Sequence, residues 1–502
     1  MAGSSPEIVG RASAHFTRTA IIDATRCYTY RELDAASACV AHHLLGRRRD
    51  LHEARVAFLI LPGFEHVAVQ WGIWRAGGVA VPLPVTHPAS ELDYMIRDAD
   101  AAFVVSDASG VERVAPLATA AGARFLNAEE LLEHGPAGGL DAISPDRRAM
   151  MVYTSGTTGR PKGVVTTHAN ITAQIVSVVT AWEWTAADRA LLVLPLHHVH
   201  GIINVVCSAL WTGAACEILP RFDSETTWER LASGELTVFS AVPTLYHRLI
   251  QSWETATLDV QRARSGGAQN LRLMMCGSSA LPRRVLERWE EITRHRLLER
   301  YGMSEVAMAL SNPLHGERRP GFVGGPLPGI SARLMSDGVE VPEGDAGEIE
   351  LKGPGVFHEY WRRPEETAAA FHDGWFRTGD TAVVEHGSYR LLGRKSVDII
   401  KSGAEKVSAL EIEEVLRTHP AIAECAVVGV EDLEWGEKIC AAVELRPGQQ
   451  LALTQLRDWA RTHLAPSKTP RDLRCVERLP RNAMGKIVKP DVAIFFRKLQ
   501  ED

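Results

Sequence analysis

No uninterrupted apolar run in this chain approaches the roughly 20 residues that a membrane-spanning helix needs, so no membrane span is expected. No block of like charge stands out either. The 55 basic and 62 acidic residues leave a net charge of −7, which disfavours a nucleic-acid surface. Cysteine is scarce and scattered, at positions 27, 39, 207, 216, 276, 425, 440 and 475. None of the eight falls in a CxxC pair or a Cys/His ligand spacing. Most have apolar neighbours and read as reduced core thiols, so the expected compartment is the cytoplasm. The N-terminus lacks an apolar signal segment, and Glu7 interrupts its mild basic character. No cleaved targeting peptide is expected there. Internal repeats are absent as well.

What is present is ordinary globular composition, 45% hydrophobic and 23% charged. At 502 residues the chain exceeds what one core supports, so two or more domains are expected. Helical spacing over Tyr30 to Leu45 gives way to a strand run over Arg55 to Leu61. The unit recurs over Glu65 to Ala76 and Gly77 to Pro82, then over Leu92 to Ala99 and Phe103 to Ser106. Such alternation predicts parallel sheet with crossover helices. Further strands are expected over Ala190 to Leu194 and Leu271 to Met275, a helix over Asn170 to Val179, and a strand over Val238 to Thr244 leading into a helix that carries Arg248. Gly347 to Leu351 and Gly387 to Leu392 alternate as antiparallel strands of a β-rich subdomain, with Gly374 to Asp380 lying between them. Beyond Arg394 the pattern becomes α+β: a helix over Ala409 to Thr418 capped by Ser408, strands over Glu424 to Val430 and Ile439 to Leu445, and a helix over Thr454 to His463. About a hundred residues there suffice for a small domain.

The most distinctive stretch is Thr154-Ser155-Gly156-Thr157-Thr158-Gly159-Arg160-Pro161-Lys162-Gly163, entered from the apolar run Met150 to Tyr153. Its glycines permit close backbone approach, so successive N–H groups can point into one concavity. The hydroxyls and Lys162 add donors and a cation, the chemistry of a polyphosphate cradle. It is not a Walker A loop, whose lysine follows a glycine and precedes Ser or Thr. Three histidines at 197, 198 and 200 raise a metal site, but no Asp, Glu or Cys accompanies them and neighbouring side chains there diverge.

The run Thr154 to Gly163 resembles the phosphate-loop signature of the adenylate-forming superfamily: acyl-CoA synthetases, luciferases and peptide-synthetase adenylation domains. Four further stretches match in family order: Pro195 to Gly201, Tyr301-Gly302-Met303-Ser304-Glu305, Gly379-Asp380 with Arg394, and Pro480 to Lys486. The resemblance implies an α/β fold. A large N-terminal domain, 1–394, has parallel-rich sheets with crossover helices plus the β-rich subdomain. A small α+β C-terminal domain, 395–502, follows a hinge at Lys395 and Ser396. It also implies an acid–thiol ligase using ATP and CoA as co-substrates with Mg2+ as cofactor. Ser155, Gly156, Thr157, Thr158, Gly159 and Lys162 would hold phosphates. Glu305 and Thr154 would serve the metal, an oxygen-preferring cation. Ser278, Ser279 and Ala280, with Tyr301, Gly302, Met303 and Ser304, would line the adenine site, and Asp380 with Arg394 the ribose. Ser304 stands where most relatives have Thr. Lys486 would be the catalytic lysine that neutralises charge growing at the α-phosphate. Rotation of the small domain would then remove it and bring Ser402, Gly403 and Ala404 to CoA; relatives often carry a second Gly where Ala404 stands.

Within the superfamily, the runs Leu194 to Gly201, Ala241 to Tyr246, Arg272 to Pro282 and Leu298 to Glu305 resemble malonyl-CoA synthetases. The expected substrates are malonate, with methylmalonate as a further candidate, ATP and CoA. A physical argument runs the same way. Arg300, beside the acyl pocket in this family, would be costly near a fatty or aromatic group, and a second substrate carboxylate would pair with it bidentately. Arg248, His198, His200 and Ser278 are the other acyl-site candidates. Two alternatives stay open: a ligase for a short-chain or aromatic monocarboxylate, and a stand-alone adenylation enzyme loading a carrier protein. No fused carrier is expected, since Asp502 follows Lys486 closely.

Overall fold

The alternation of buried β-branched runs with amphipathic segments becomes, in a computed structural model, four sheets with helices packed between and around them. The structure describes residues 6–133, 139–154, 161–394, 397–402, 405–432, 435–482 and 485–497.

A seven-stranded sheet runs, in spatial order, Glu359–Tyr360, Lys162–Thr167, Arg148–Thr154, Val79–Pro82, Arg55–Leu59, Ala101–Ser106 and Arg124–Asn127. Its inner strands pair in parallel. The helices Phe64–Arg75 and Ala89–Asp98 make the crossovers, as parallel pairing requires. A nine-stranded sheet is parallel from Thr19–Ile22 through Leu298–Tyr301 and antiparallel at both margins. The helix Tyr30–Leu45 bridges the two layers. It starts at Thr29 because a reciprocal cap forms there: Glu32 N donates to Thr29 Oγ1 at 3.2 Å, and Thr29 N donates to Glu32 Oε2 at 2.7 Å.

Two stretches that the sequence reading left unassigned are strands. The phosphate loop does not lead straight to a helix. Arg148–Thr154 turns back antiparallel as Lys162–Thr167, and the helix His168–Ala181 begins only then, capped by Thr167. The run Gly163-Val164-Val165-Thr166-Thr167 is buried on both faces, so it shows no alternation from which a strand could be read. Gly374 to Asp380 is likewise not a connection. It opens the 11-residue strand Trp375–Glu385, which pairs with Gly347–Lys352 on one side and Ser388–Arg394 on the other.

After Arg394 a separate five-stranded sheet forms from Ile399–Ser402, Glu405–Ser408, Ile422–Asp432, Gly436–Leu445 and Asp472–Cys475. Among the described residues each hydrophobic cluster lies wholly before Arg394 or wholly after it. The two parts meet through polar contacts. Arg283 N donates to Glu414 Oε1 at 2.9 Å, and Arg284 reaches the carbonyl of Ala423 at 3.0 Å. No described helix is long and apolar enough to cross a membrane.

Candidate active site

Open parallel sheets place their loops over the carboxyl ends of the strands. In the nine-stranded sheet, the neighbouring strands Val238–Ala241, Leu273–Cys276 and Leu298–Tyr301 bring Ser240, Ser278 and Arg300 together at that end. His200 arrives from the helix Val199–Gly201, which follows the strand Arg189–Leu192. Gly277 makes room: a Cβ there would stand 2.2 Å from an Arg300 guanidinium nitrogen.

His200 is the hub of this cluster. Its Nδ1 is 3.1 Å from Ser278 Oγ and its Nε2 is 2.8 Å from Ser240 Oγ. The Arg300 guanidinium lies against the ring, with Nη2 2.9 Å from Nδ1. Burial first, then the Arg300 charge, holds the His200 pKa well below the ordinary imidazole range. The ring is therefore neutral, with one donor and one acceptor nitrogen for the two hydroxyls. Arg300 itself is 3% exposed. Burial pushes its pKa down to about 10, which leaves it charged at neutral pH. Among the described residues no carboxylate pairs with it, and its buried Nε has no hydrogen-bond partner. A buried guanidinium without a counter-charge is unfavourable. A carboxylate of a bound acid would supply both the charge and the missing acceptor.

A second cluster sits beside it. Tyr301 is buried, and its hydroxyl donates to Asp380 Oδ2 at 2.6 Å. Arg394 Nε donates to Asp380 Oδ1 at 3.0 Å. An ionised carboxylate has about four lone-pair positions, so Asp380 keeps acceptor capacity for a diol. Glu305 is 6% exposed, accepts from the Tyr360 hydroxyl at 2.9 Å on Oε1, and has its pKa raised by burial. Lys162 pairs with Glu366 and lies 5.3 Å from the Tyr360 ring centroid. Lys486 is held by a tight turn in which its own N–H donates to Asn482 Oδ1 at 3.0 Å and Gly485 takes φ +77°. Burial, then the charges of Arg394 and Arg300, push the Lys486 pKa down to about 8, with Asp380 opposing. Three cations thus converge near Asp380, with Glu305 also acting on Arg394, an electrostatic site for a polyanion.

The other expected positions fall as follows. Thr154, Gly302, Met303 and Ser304 are half-buried, while Ser279 and Ala280 are exposed. His198 stacks near His197 with centroids 4.1 Å apart, and burial followed by the Lys486 charge brings its pKa to about 4. Arg248 lies on the exposed face of the helix Pro243–Thr255, and the structure does not bring it into the His200 cluster. Ser402 is buried, with no partner on its hydroxyl among the described residues. Ser155, Gly156, Thr157, Thr158, Gly159, Lys395, Ser396, Gly403 and Ala404 lie outside the described residues. Among the described residues no group of three or more His, Cys, Asp or Glu side chains is arranged to hold a metal. Glu305 still fits Mg2+ bound jointly with phosphates, because its carboxylate is buried beside Arg394 and Asp380 and carboxylate oxygen suits a hard cation.

Sequence reading missed three residues. Ser240 was visible only as a polar position inside an apolar strand. Tyr360 and Glu366 gave no signal, since their partners Glu305 and Lys162 are distant in the chain.

Comparison with known proteins adds what geometry alone does not. The AMP-binding enzyme family matches residues 10–361, and the AMP-binding enzyme C-terminal domain matches 411–486. The chain is 44% identical to the mitochondrial malonate–CoA ligase ACSF3 of Xenopus laevis, over 97% of this chain and 92% of that one. It superposes on ATP-bound MatB from Rhodopseudomonas palustris with a TM-score of 0.91 at 33% identity, over 99% and 100% of the two chains. With apo MatB from the same organism, at the same identity and coverage, the TM-score is 0.80. The arrangement here is thus nearer to the ATP-bound one. O-succinylbenzoate coenzyme A synthetase from Bacillus subtilis, in complex with ATP and magnesium ion, gives 0.85 at 27% identity over 97% and 99%. The chain belongs to the AMP-binding enzyme family, the adenylate-forming superfamily that its five motifs resemble.

Proposed function

We propose that the protein is a malonate–CoA ligase. A malonate carboxylate oxygen attacks the α-phosphorus of ATP and pyrophosphate leaves. The CoA sulfur then attacks the acyl carbon of the malonyl-adenylate, giving malonyl-CoA and AMP while the thiol proton is released. The observation that carries the choice of acid is Arg300, buried and without a counter-charge beside a neutral His200. The 44% identity to a malonate–CoA ligase supports the same reading.

In this proposal Arg300 takes the carboxylate that does not react and Ser278 offers it a neutral donor, while Arg248 lies on an exposed helix face outside the cluster. Lys486 contacts the reacting carboxylate and the α-phosphate, so its charge matters most as the phosphate charge grows. Thr154, the loop that follows it and Lys162 hold the departing phosphates, and Asp380 with Arg394 orients the ribose. Glu305 with Thr154 would hold Mg2+, which when bound neutralises phosphate charge. The large domain would end at 394 and the small one begin at 395, since the apolar cores divide there. Rotation at 395–396 would then present Ser402 and its loop to CoA. The unpaired cysteines favour the cytoplasm as the compartment; "mitochondrial" belongs to the name of the Xenopus relative.

Pyrophosphate release should be measured over malonate, methylmalonate, acetate, butyrate and benzoate with CoA. Malonate is expected to turn over fastest; a preference for a monocarboxylate would replace this reading with that of another acyl-CoA ligase. Thioester formed on a holo-carrier protein but not on CoA would indicate the carrier-loading alternative.

The Lys486 pKa gives a pH prediction. The lysine is charged below about 8 and loses its proton as the pH rises through that value. The kcat/KM for ATP, which reports groups of the free enzyme, is expected to fall above about pH 8. A Lys486→Arg variant, whose guanidinium stays protonated, should lose that limb whatever its absolute rate.

A further inference from the structure

Lys162 opens its strand directly after the phosphate loop, and its ammonium already carries a carboxylate, Glu366 Oε2. Glu366 lies on the short helix Pro364–Ala370. The pair is at the rim of the site, with side chains 24% and 38% exposed for Lys162 and Glu366. Arg363 meets the other Glu366 oxygen at 3.3 Å and also faces Asp98 at 3.6 Å. The hydrogen bond from Lys162 holds the Glu366 carboxyl below its ordinary range, so Glu366 is an anion at neutral pH. Behind the pair, the Tyr360 ring faces the ammonium while its hydroxyl donates to Glu305.

We infer that Glu366 is an internal competitor of the β- and γ-phosphates, a positioning residue acting through Lys162. The inference rests on the reading of Lys162 as a phosphate ligand. A phosphate that approaches this ammonium must share it with, or take it from, a carboxylate already bonded to it. The competition weakens the hold on ATP, and equally the hold on pyrophosphate after the first step, so it shortens the stay of that product. AMP has no β- or γ-phosphate and is indifferent to it. Partly exposed ion pairs contribute modestly, so the effect is severalfold rather than many orders of magnitude.

The test is calorimetric titration of Mg–ATP and of AMP without acid substrate, together with pyrophosphate product inhibition. Glu366→Gln is expected to lower the ATP dissociation constant and the pyrophosphate inhibition constant by about two- to fivefold, with AMP unchanged. In a Lys162→Ala background the Glu366→Gln change should do nothing to ATP binding. Unchanged or weaker ATP binding in Glu366→Gln would overturn the inference, as would equal tightening of AMP. Tightening that persists without Lys162 would assign the effect to Arg363 and overturn it too. Lys162→Ala alone should weaken ATP but not AMP. If it does not, the phosphate reading itself fails, whereas a failure of Glu366→Gln alone leaves that reading standing.

Discussion

Replacing Lys486 by alanine is expected to slow malonyl-adenylate formation by about 10²- to 10³-fold, the usual cost of removing a preorganised charge from a developing anion. Thioester formation from supplied malonyl-adenylate and CoA should stay near the parent rate. The reason for the split is geometric. Lys486 sits on a turn of the C-terminal sheet's domain, yet Arg394, Arg300 and Asp380 of the large part all bear on its charge. In the proposed mechanism it serves the adenylating arrangement, and rotation for the second step would carry it away. Pyrophosphate release and CoA-thioester formation, measured separately, check this; equal loss of both steps would refute the two-arrangement account. Misfolding is not expected to confuse the result. Lys486 keeps its proton less readily when folded than when unfolded, where a lysine titrates near 10.4. Its charge therefore works against folding below about pH 8, and that penalty fades between the folded and unfolded values. Thermal unfolding at pH 7 should show the alanine variant no less stable than the parent.

The second large effect concerns the acid. Arg300→Met should reduce kcat/KM for malonate by about 10²- to 10³-fold, as expected when one partner of a buried charge pair is removed. Butyrate and acetate should lose little or gain. Methionine is chosen over alanine because an apolar side chain of similar length fills the site of a buried charge without leaving a cavity. Arg300→Lys should fall between, since an ammonium cannot make two parallel bonds to a carboxylate. A methionine variant that keeps its preference for malonate over butyrate would show that another residue selects the acid, and exposed Arg248 would be examined next.

The site was legible in the sequence where its chemistry is local. The loop from Thr154 to Lys162 concentrates glycine, hydroxyls and a cation in one run, and Lys486 follows Gly485, whose positive φ shapes its turn. Arg300 was singled out because a charge beside the expected acyl pocket calls for a partner. What could not be read depends on distant pieces of chain. His200 and Ser240 are 40 positions apart, and Tyr360 and Glu305 are 55 apart. No periodicity links such pairs; sheet order decides them. The same holds for the fold. Parallel units in the first third follow from alternation, but the strand Lys162–Thr167 is buried on both faces and so carries no alternation.

That strand has a consequence for how the protein is made. Its outer edge is completed by Glu359–Tyr360, with Trp361 N donating to Gly163 O and His358 N to Val165 O, each at 2.8 Å. The closing strand is translated some 200 residues after Lys162, which at about 5–20 residues per second is a delay of about 10–40 s on the ribosome. During that interval Val164 and Val165, almost fully buried in the finished protein, belong to an open strand edge. Open edges recruit foreign strands. The nascent chain therefore passes through an aggregation-prone interval at this segment, and its yield should depend on chaperone supply during that window.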